Sequence, residues 1–93
     1  MDFEWDPDKM DAVWVQRSIK VTEAVAVFQD PNLVDVEDMR RDYGEERRSA
    51  TGMVDGELLT VICTMRGPIC RIITAWRASR KERRRYGHSE IHS

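Results

Sequence analysis

The sequence of 93 residues lacks several features that define whole classes of protein. It has no apolar run close to the roughly 20 residues that a membrane helix needs, so we expect no membrane contact. Its acidic start, MDFEWDPDKM, lacks the basic and then apolar pattern of a signal peptide, which predicts a cytoplasmic protein. It contains no glycine-rich phosphate loop and no Cys and His spacing typical of a metal site. We therefore expect neither a metal nor another cofactor.

Cysteine and histidine are scarce. Cys63 and Cys70 lie on consecutive predicted strands, where a hairpin would make them neighbours. Because disulfides are rare in the cytosol, we predict two reduced, half-buried thiols. His88 and His92 fall in the last six residues, 88–93, which we expect to be a flexible tail. With no Ser/His/Asp set, the sequence offers no sign of a hydrolytic triad.

Charge is plentiful and its two signs are separated. Charged residues make up 34% of the chain, against about 25% in a typical protein. Residues 1–46 hold 13 acidic and 5 basic side chains, a net of −8, while residues 47–93 hold 4 and 10, a net of +6. Five of the six residues 80–85 are basic. This asymmetry indicates either a surface for a polyanion or neutralisation within the molecule.

Turn signals and periodicity divide the chain into helices and strands. Asp6-Pro7 begins a helix, Asp30-Pro31 ends one, and Asp55-Gly56 predicts a tight hairpin. Predicted helices cover 7–17, 21–29 and 80–86, predicted strands cover 3–6, 33–36, 47–54, 57–65 and 69–76, and a loop or exposed hairpin covers 38–46. The prediction is one α+β domain, residues 1–87: an antiparallel sheet with two N-terminal helices and a short C-terminal helix, β-α-α-β-β-β-β-α.

Arginines carry the candidate chemistry. Arg71 and Arg77 share parity in the last strand, which predicts that they face one side of the sheet. Guanidinium groups suit a phosphodiester and can stabilise in-line attack by a ribose 2′-hydroxyl without a metal. Tyr86 and Glu82 are the nearest groups for proton transfer, although Ser79 and Glu82 also form the pattern of a helix capping box. Alternatively, the strand arginines pair with carboxylates of the N-terminal half.

Four stretches of the sequence resemble the BrnT family of toxins, in the same order and with similar spacing. These stretches are FEWDPDK, GEER, VDGELLTVICTMRG and RIITAWRASRKERRRY. The resemblance implies a RelE-like fold and a ribonuclease that acts as the toxin of a type II toxin–antitoxin pair. It also implies a BrnA-like antitoxin with a ribbon-helix-helix part, through which the complex binds operator DNA and represses its own operon.

The resemblance, together with the charge pattern, gives a set of expected site residues. The expected catalytic residues are Arg66, Arg77 and Tyr86, and the expected RNA-binding residues are Arg47, Arg71, Arg80, Arg83 and Arg84. The sequence departs from the family pattern at three positions: Arg17 stands where the family usually has a histidine, Val13 where it has an asparagine, and Trp76 where it has a basic residue. Since arginine cannot act as a base at neutral pH, a catalytically weak homologue that serves as an antitoxin-binding co-repressor is the alternative function.

Overall fold

The fold consists of a five-stranded sheet and three α-helices. The computed structural model describes residues 1–39 and 44–91, with side chains up to residue 87. Along the chain come β1 (Asp2–Trp5), α1 (Pro7–Arg17), α2 (Val21–Ala26) with a 3-10 turn (Val27–Gln29), β2 (Val34–Glu37), β3 (Arg48–Val54), β4 (Glu57–Arg66), β5 (Ile69–Arg77) and α3 (Arg80–Ile91). The predicted α+β class, with its N-terminal helix pair and C-terminal helix, is confirmed.

Local signals set most of the element boundaries. The Asp6 carboxylate accepts a hydrogen bond from the Asp8 amide at 3.0 Å, and Pro7 occupies the first turn of α1. Asp55 and Gly56 both have positive φ, 48° and 82°, as the tight turn between β3 and β4 requires. The C-terminal helix differs from the prediction, since α3 extends to Ile91.

Parts of two predicted segments lie outside the described residues. Residues 40–43 of the predicted loop over 38–46 are among them, as are residues 92 and 93 of the predicted tail. Within the described part of the chain, no helix is long and apolar enough to span a membrane.

The strands form one sheet in the order β1-β5-β4-β3-β2. The pairs β2–β3, β3–β4 and β4–β5 are antiparallel, but β1 pairs with β5 in parallel. The predicted antiparallel sheet is therefore corrected at this edge. Hairpin signals fix the direction of consecutive strands, whereas β1 and β5 are joined through the rest of the fold, so no local turn determines their relative direction.

A β-bulge divides β5 into two halves. Ile62 of β4 is opposite Thr74 and Cys63 is opposite Ile72, so Ile73 is an extra residue in β5. Because of this extra residue, two positions of β5 that are an even number of residues apart lie on opposite faces of the sheet when Ile73 is between them. Arg71 lies opposite Thr64 and Arg77 opposite Leu59, which are on different faces of β4. The prediction that the two arginines share a face is wrong.

Each face of the sheet is covered by a different part of the chain. One face, called here the helical face, packs against α1 and α2 and carries the main apolar core, formed by Met10, Val13, Ile19, Ala24, Val27, Ala50, Val54, Leu59, Val61, Ile72 and Ala75. The other, called here the α3 face, carries a small cluster of Leu58, Ala78 and Tyr86. Polar side chains and cavities occupy the rest of the α3 face, which therefore positions the candidate site.

The two cysteines are neighbours across the β4–β5 hairpin. Both are free thiols, and they are buried more deeply than predicted, with exposed fractions of 2% for Cys63 and 0% for Cys70. A hydrogen bond between the thiols, together with burial, raises the pKa of Cys63. The pair is thus part of the protein interior.

Candidate functional site

The structure does not bring the expected catalytic residues together. Arg66 pairs with Ile69 at one end of the β4–β5 hairpin, and Arg77 pairs with Leu59 near the other end. Arg66 and Leu59 are seven positions apart on β4, which corresponds to roughly 23 Å at about 3.3 Å per residue. Two guanidinium groups so far apart cannot hold the same phosphate.

Arg77 and Arg71 are each engaged with carboxylates of the chain. The Arg77 Nε lies 3.1 Å from a Glu57 carboxylate oxygen, and its guanidinium also donates to the main-chain carbonyl of Arg17 at the end of α1. The Arg71 guanidinium lies 2.6 Å from a carboxylate oxygen of Glu4. The alternative of internal ion pairing therefore describes both residues, although only Glu4 belongs to the N-terminal half.

Tyr86 lies inside the fold. Its side chain is 5% exposed, and its hydroxyl donates to Asp30 Oδ2 at 2.6 Å. Asp30 also accepts from the amides of Met53 and Asn32, at 2.7 and 2.8 Å. Burial raises the pKa of Asp30, but the hydrogen bonds from Tyr86 and the two amides outweigh it, so the pKa is lowered. Tyr86 thus joins α3 to the segment between α2 and β2.

The basic residues of α3 lie on different sides of the helix. Arg80, Arg83 and Arg84 are exposed, and Arg83 lies with Arg77 beside the β3–β4 turn. Lys81 and Arg85, four residues apart, share a different side of α3 and line a cavity on the sheet. The expected RNA-binding residues of this helix therefore point away from that cavity.

Two adjoining cavities occupy the α3 face. The first, called here the α1 groove, has a volume of about 520 Å³ and lies between α1 and the second half of β5. The second, called here the α3 groove, has a volume of about 420 Å³ and lies beside α3. Ile62 and Trp76 line both, so the two grooves meet at these side chains.

Cations from separate parts of the chain meet at the α1 groove. Lys9 and Arg17 line it from α1, and Arg47 lines it from the residue before β3. The Arg17 guanidinium donates to the Thr74 hydroxyl at 3.4 Å, and the Arg47 Nε lies 3.8 Å from a Glu45 carboxylate oxygen. Of these cations, the expected site included Arg47 only.

A signal for the other two cations exists in the sequence. Lys9 and Arg17 are eight residues apart on a helix, a spacing that places them on one side of it. The packing of α1 against β5 is a tertiary contact, however, and without it this pattern does not indicate a site. All three departures from the family pattern, Val13, Arg17 and Trp76, line the groove, and Val13 also belongs to the buried core.

Glu82 is the most extensively bonded carboxylate in the described part of the α3 face. It accepts from the Ser79 amide at 2.7 Å, from the Thr60 hydroxyl at 3.0 Å and from the Trp76 indole Nε1 at 3.1 Å. The Glu82 amide donates to the Ser79 hydroxyl at 3.2 Å, so both hydrogen bonds of a capping box are present. Since Thr60 donates to Glu82, Thr51 must donate the 2.8 Å bond between the two threonine hydroxyls.

This arrangement determines the charge of Glu82. Burial raises its pKa, but the hydrogen bonds from Ser79, Trp76 and Thr60 outweigh burial, and the pKa is lowered. A carboxylate that is ionised and accepts several hydrogen bonds is a weak proton acceptor. Among the residues that the structure describes, no three His, Cys, Asp or Glu side chains come together as a metal site.

A small α+β domain with a cationic groove beside an aromatic side chain is typical of proteins that bind nucleic-acid phosphates. The comparison with protein families makes the assignment specific. Residues 5–82 match the family described as the ribonuclease toxin, BrnT, of a type II toxin–antitoxin system, and the chain belongs to this family. No curated protein sequence matches the chain. The resemblance found in the sequence is confirmed, and with it a ribonuclease toxin that acts on RNA and is paired with an antitoxin.

Proposed function

We propose that this chain is a cytoplasmic, metal-independent endoribonuclease toxin that holds the RNA backbone in the α1 groove. The observation that carries the proposal is the convergence of Lys9, Arg17 and Arg47 on one cavity. Arg71 and Arg77 do not line this cavity, and each is bound to a carboxylate of the chain. Because Arg17 contacts only a neutral hydroxyl among the described residues, binding a phosphate there does not require an ion pair to break.

The chemistry is an internal transfer at the phosphodiester. The ribose 2′-oxygen attacks the adjacent phosphorus and loses its proton, the bond from phosphorus to the 5′-oxygen breaks, and the leaving oxygen gains a proton. The products carry a 2′,3′-cyclic phosphate and a 5′-hydroxyl. Arg17 and Arg47 neutralise the negative charge that develops on the non-bridging oxygens.

Proton transfer in the proposed reaction depends on solvent. Among its described lining residues, the α1 groove offers no imidazole that exchanges a proton near neutral pH. Hydroxide or water therefore takes the proton of the 2′-hydroxyl, and the cleavage rate rises with pH across the neutral range. A bell-shaped pH profile would instead indicate a paired acid and base.

The test measures cleavage of a labelled single-stranded RNA by the purified chain in EDTA. We expect cleavage products with cyclic phosphate ends, and a loss of about 100-fold or more in rate for Arg17→Gln and Arg47→Gln. The matched control is Lys20→Gln, which removes an exposed cation beside α1 that lines neither groove, and it should cleave at nearly the wild-type rate.

Three outcomes would contradict the proposal. The first is cleavage that EDTA abolishes and added metal restores. The second is a loss of rate in Arg66→Gln that exceeds the loss in Arg17→Gln. That result would place the phosphate site at the Arg66 end of the β4–β5 hairpin. The third is equal activity in every variant, which would identify a contaminating nuclease.

A catalytically weak toxin homologue is the second candidate function. Two observations favour it: Arg17 stands where the family resemblance implies a histidine, and the nearby Glu82 is saturated with hydrogen bonds. In this case the chain would bind a BrnA-like ribbon-helix-helix antitoxin and strengthen repression of its operon. Induced expression that leaves growth unchanged, together with an antitoxin complex that binds operator DNA more tightly than antitoxin alone, would support this function.

A further inference from the structure

A third groove lies on the opposite side of α1 from the α1 groove. It is called here the tryptophan groove, has a volume of about 360 Å³ and is formed by apolar side chains of β1, α1 and the start of α2: Trp5, Pro7, Met10, Trp14 and Val21. It shares no described lining residue with the α1 groove or the α3 groove. The proposed reaction does not use it.

Two tryptophans are accessible in this groove. Trp14 is 49% exposed and Trp5 is 36% exposed. Exposed apolar side chains that lie together are typical of a surface that binds a partner, and tryptophan is enriched among the residues that contribute most to binding. The charged side chains of the lining, Asp11 and Lys20, have opposite signs, and the Lys20 ammonium lies 5.8 Å from the centroid of the Trp14 ring. The groove therefore favours an apolar occupant.

The α1 groove on the other side of the helix has a different character. Lys9, Arg17 and Arg47 line it, so it attracts anions. A ligand that contacts both grooves must therefore combine an apolar side chain with carboxylates. This complementarity also fixes the direction of the ligand, because its acidic end favours the cationic groove and its apolar end favours the neutral one.

The part of α1 between the two grooves is easily crossed. It carries the exposed Ala12, whose side chain is a single methyl group, and the exposed Val15 one turn further on. A helix with its side chains is roughly 10–12 Å wide, and an extended chain advances about 3.3 Å per residue. About four extended residues are thus enough to reach from one groove to the other.

The family match indicates the kind of partner, because the toxin of a type II system is paired with an antitoxin. We propose that one extended segment of the antitoxin crosses α1, with an apolar side chain in the tryptophan groove and carboxylates in the α1 groove. This inference rests on the proposed function and specifies how the chain is neutralised. The apolar end anchors the segment, and the acidic end takes the place of the RNA phosphates.

The experiment measures antitoxin binding and RNA binding separately, both by fluorescence anisotropy. The first probe is the fluorescein-labelled antitoxin encoded with this toxin. The second is a labelled single-stranded RNA octamer with 2′-O-methyl groups, which block attack by the 2′-oxygen. The variants are Trp5→Ser and Trp14→Ser in the tryptophan groove and Arg17→Gln in the α1 groove. Met65→Ser is the matched control, because Met65 is also apolar and exposed but lines none of the three grooves.

We expect Trp5→Ser and Trp14→Ser to weaken antitoxin binding about 30-fold or more and RNA binding less than about twofold. Arg17→Gln should weaken both about tenfold, and Met65→Ser should change neither. In high salt the effect of Arg17→Gln on antitoxin binding should shrink, whereas that of Trp14→Ser should persist, because salt screens charges and not apolar contacts. Unlabelled antitoxin should displace the octamer from the wild type. Retained RNA binding and thermal unfolding check that each tryptophan variant is folded.

The results separate failure of this inference from failure of the proposed function. If both tryptophan variants bind the antitoxin as the wild type does, or if the wild type does not bind it, the inference is overturned. If antitoxin and octamer occupy the wild type together, the crossing of α1 is overturned, since the acidic end would then not fill the α1 groove. If the tryptophans are needed for antitoxin binding but the wild type never binds the octamer, the proposed function is overturned and the tryptophan anchor stands.

Discussion

The two faces of the sheet are covered in different ways. The helical face buries an apolar cluster of eleven residues beneath α1 and α2. Among the described residues, the α3 face has a cluster of three buried residues, and hydrogen bonds through Glu82 and Tyr86 add to it. Apolar packing on the first face provides most of the stability. The second face is held by fewer and more directional contacts, which leave room for the two grooves.

Under the proposed function, stability depends mainly on the helical face and RNA binding on the α1 groove beside the other face. Burial of apolar surface stabilises in proportion to the area removed from water, whereas a hydrogen bond adds little beyond what water offers the same groups. Substitutions on the helical face should therefore cost the most free energy of unfolding. Substitutions on the α3 face should cost less, and substitutions of surface ion pairs least of all.

The largest expected effect is that of Leu59→Ala. Leu59 is 1% exposed in the core of the helical face, and its truncation should lower the free energy of unfolding by about 2–5 kcal/mol. Met65→Ala is the matched control, because Met65 lies on the same strand and face but is 47% exposed, and it should cost less than about 0.5 kcal/mol. Urea unfolding at pH 7 measures both. Equal losses of unfolding free energy in the two variants would contradict the view that the buried core of the helical face provides most of the stability.

Tyr86→Phe should have an intermediate effect. It removes the hydrogen bond to the Asp30 carboxylate and should cost about 1.5–3 kcal/mol at pH 7. Because the folded-state pKa of Asp30 lies below its usual value of 3.8, the stability that this carboxylate contributes is complete above that pH and is lost as pH falls through the folded pKa. The difference between variant and wild type should therefore shrink below about pH 4, where Asp in the unfolded chain also takes up its proton. Unfolding curves at pH 7, 5 and 3 test this, and a difference that stays constant with pH would contradict it.

The smallest expected effect is that of Arg71→Gln. The ion pair with Glu4 is partly exposed, with 26% of the arginine side chain and 36% of the glutamate side chain accessible. Pairs of this kind contribute at most about 1 kcal/mol, less in high salt. Unfolding at 50 mM and 500 mM salt measures the contribution. A loss of RNA binding in this variant, with stability unchanged, would show that the first half of β5 belongs to the site.

Local signals account for what the sequence predicted correctly. The Asp6-Pro7 start of α1 and the Asp55-Gly56 turn depend on a few adjacent residues, and the structure has both where they were predicted. The parallel pairing of β1 and the extra residue Ile73 depend on how distant segments meet. The sequence therefore predicted the class and order of elements, but not the faces on which Arg71 and Arg77 lie.

The candidate site was harder to predict for the same reason. The motifs identified the family from short, well-spaced strings, and the family match confirms them. The α1 groove combines Lys9 and Arg17 of the N-terminal half with Arg47 and Trp76 of the C-terminal half. Net charge over each half of the chain hides this combination, because two cations of the groove belong to the acidic half.

The hydrogen bond from Arg77 to the Arg17 carbonyl has a consequence for mutational scanning. It ties the last turn of α1, and with it one wall of the α1 groove, to the end of β5. Under the proposed function, replacing Arg77 would release that wall and displace the Arg17 side chain, although Arg77 itself does not line the groove. An alanine scan of basic residues would thus score Arg77 as catalytic. If activity returned when another contact held the end of α1 in place, Arg77 would be shown to position this helix rather than to take part in the chemistry.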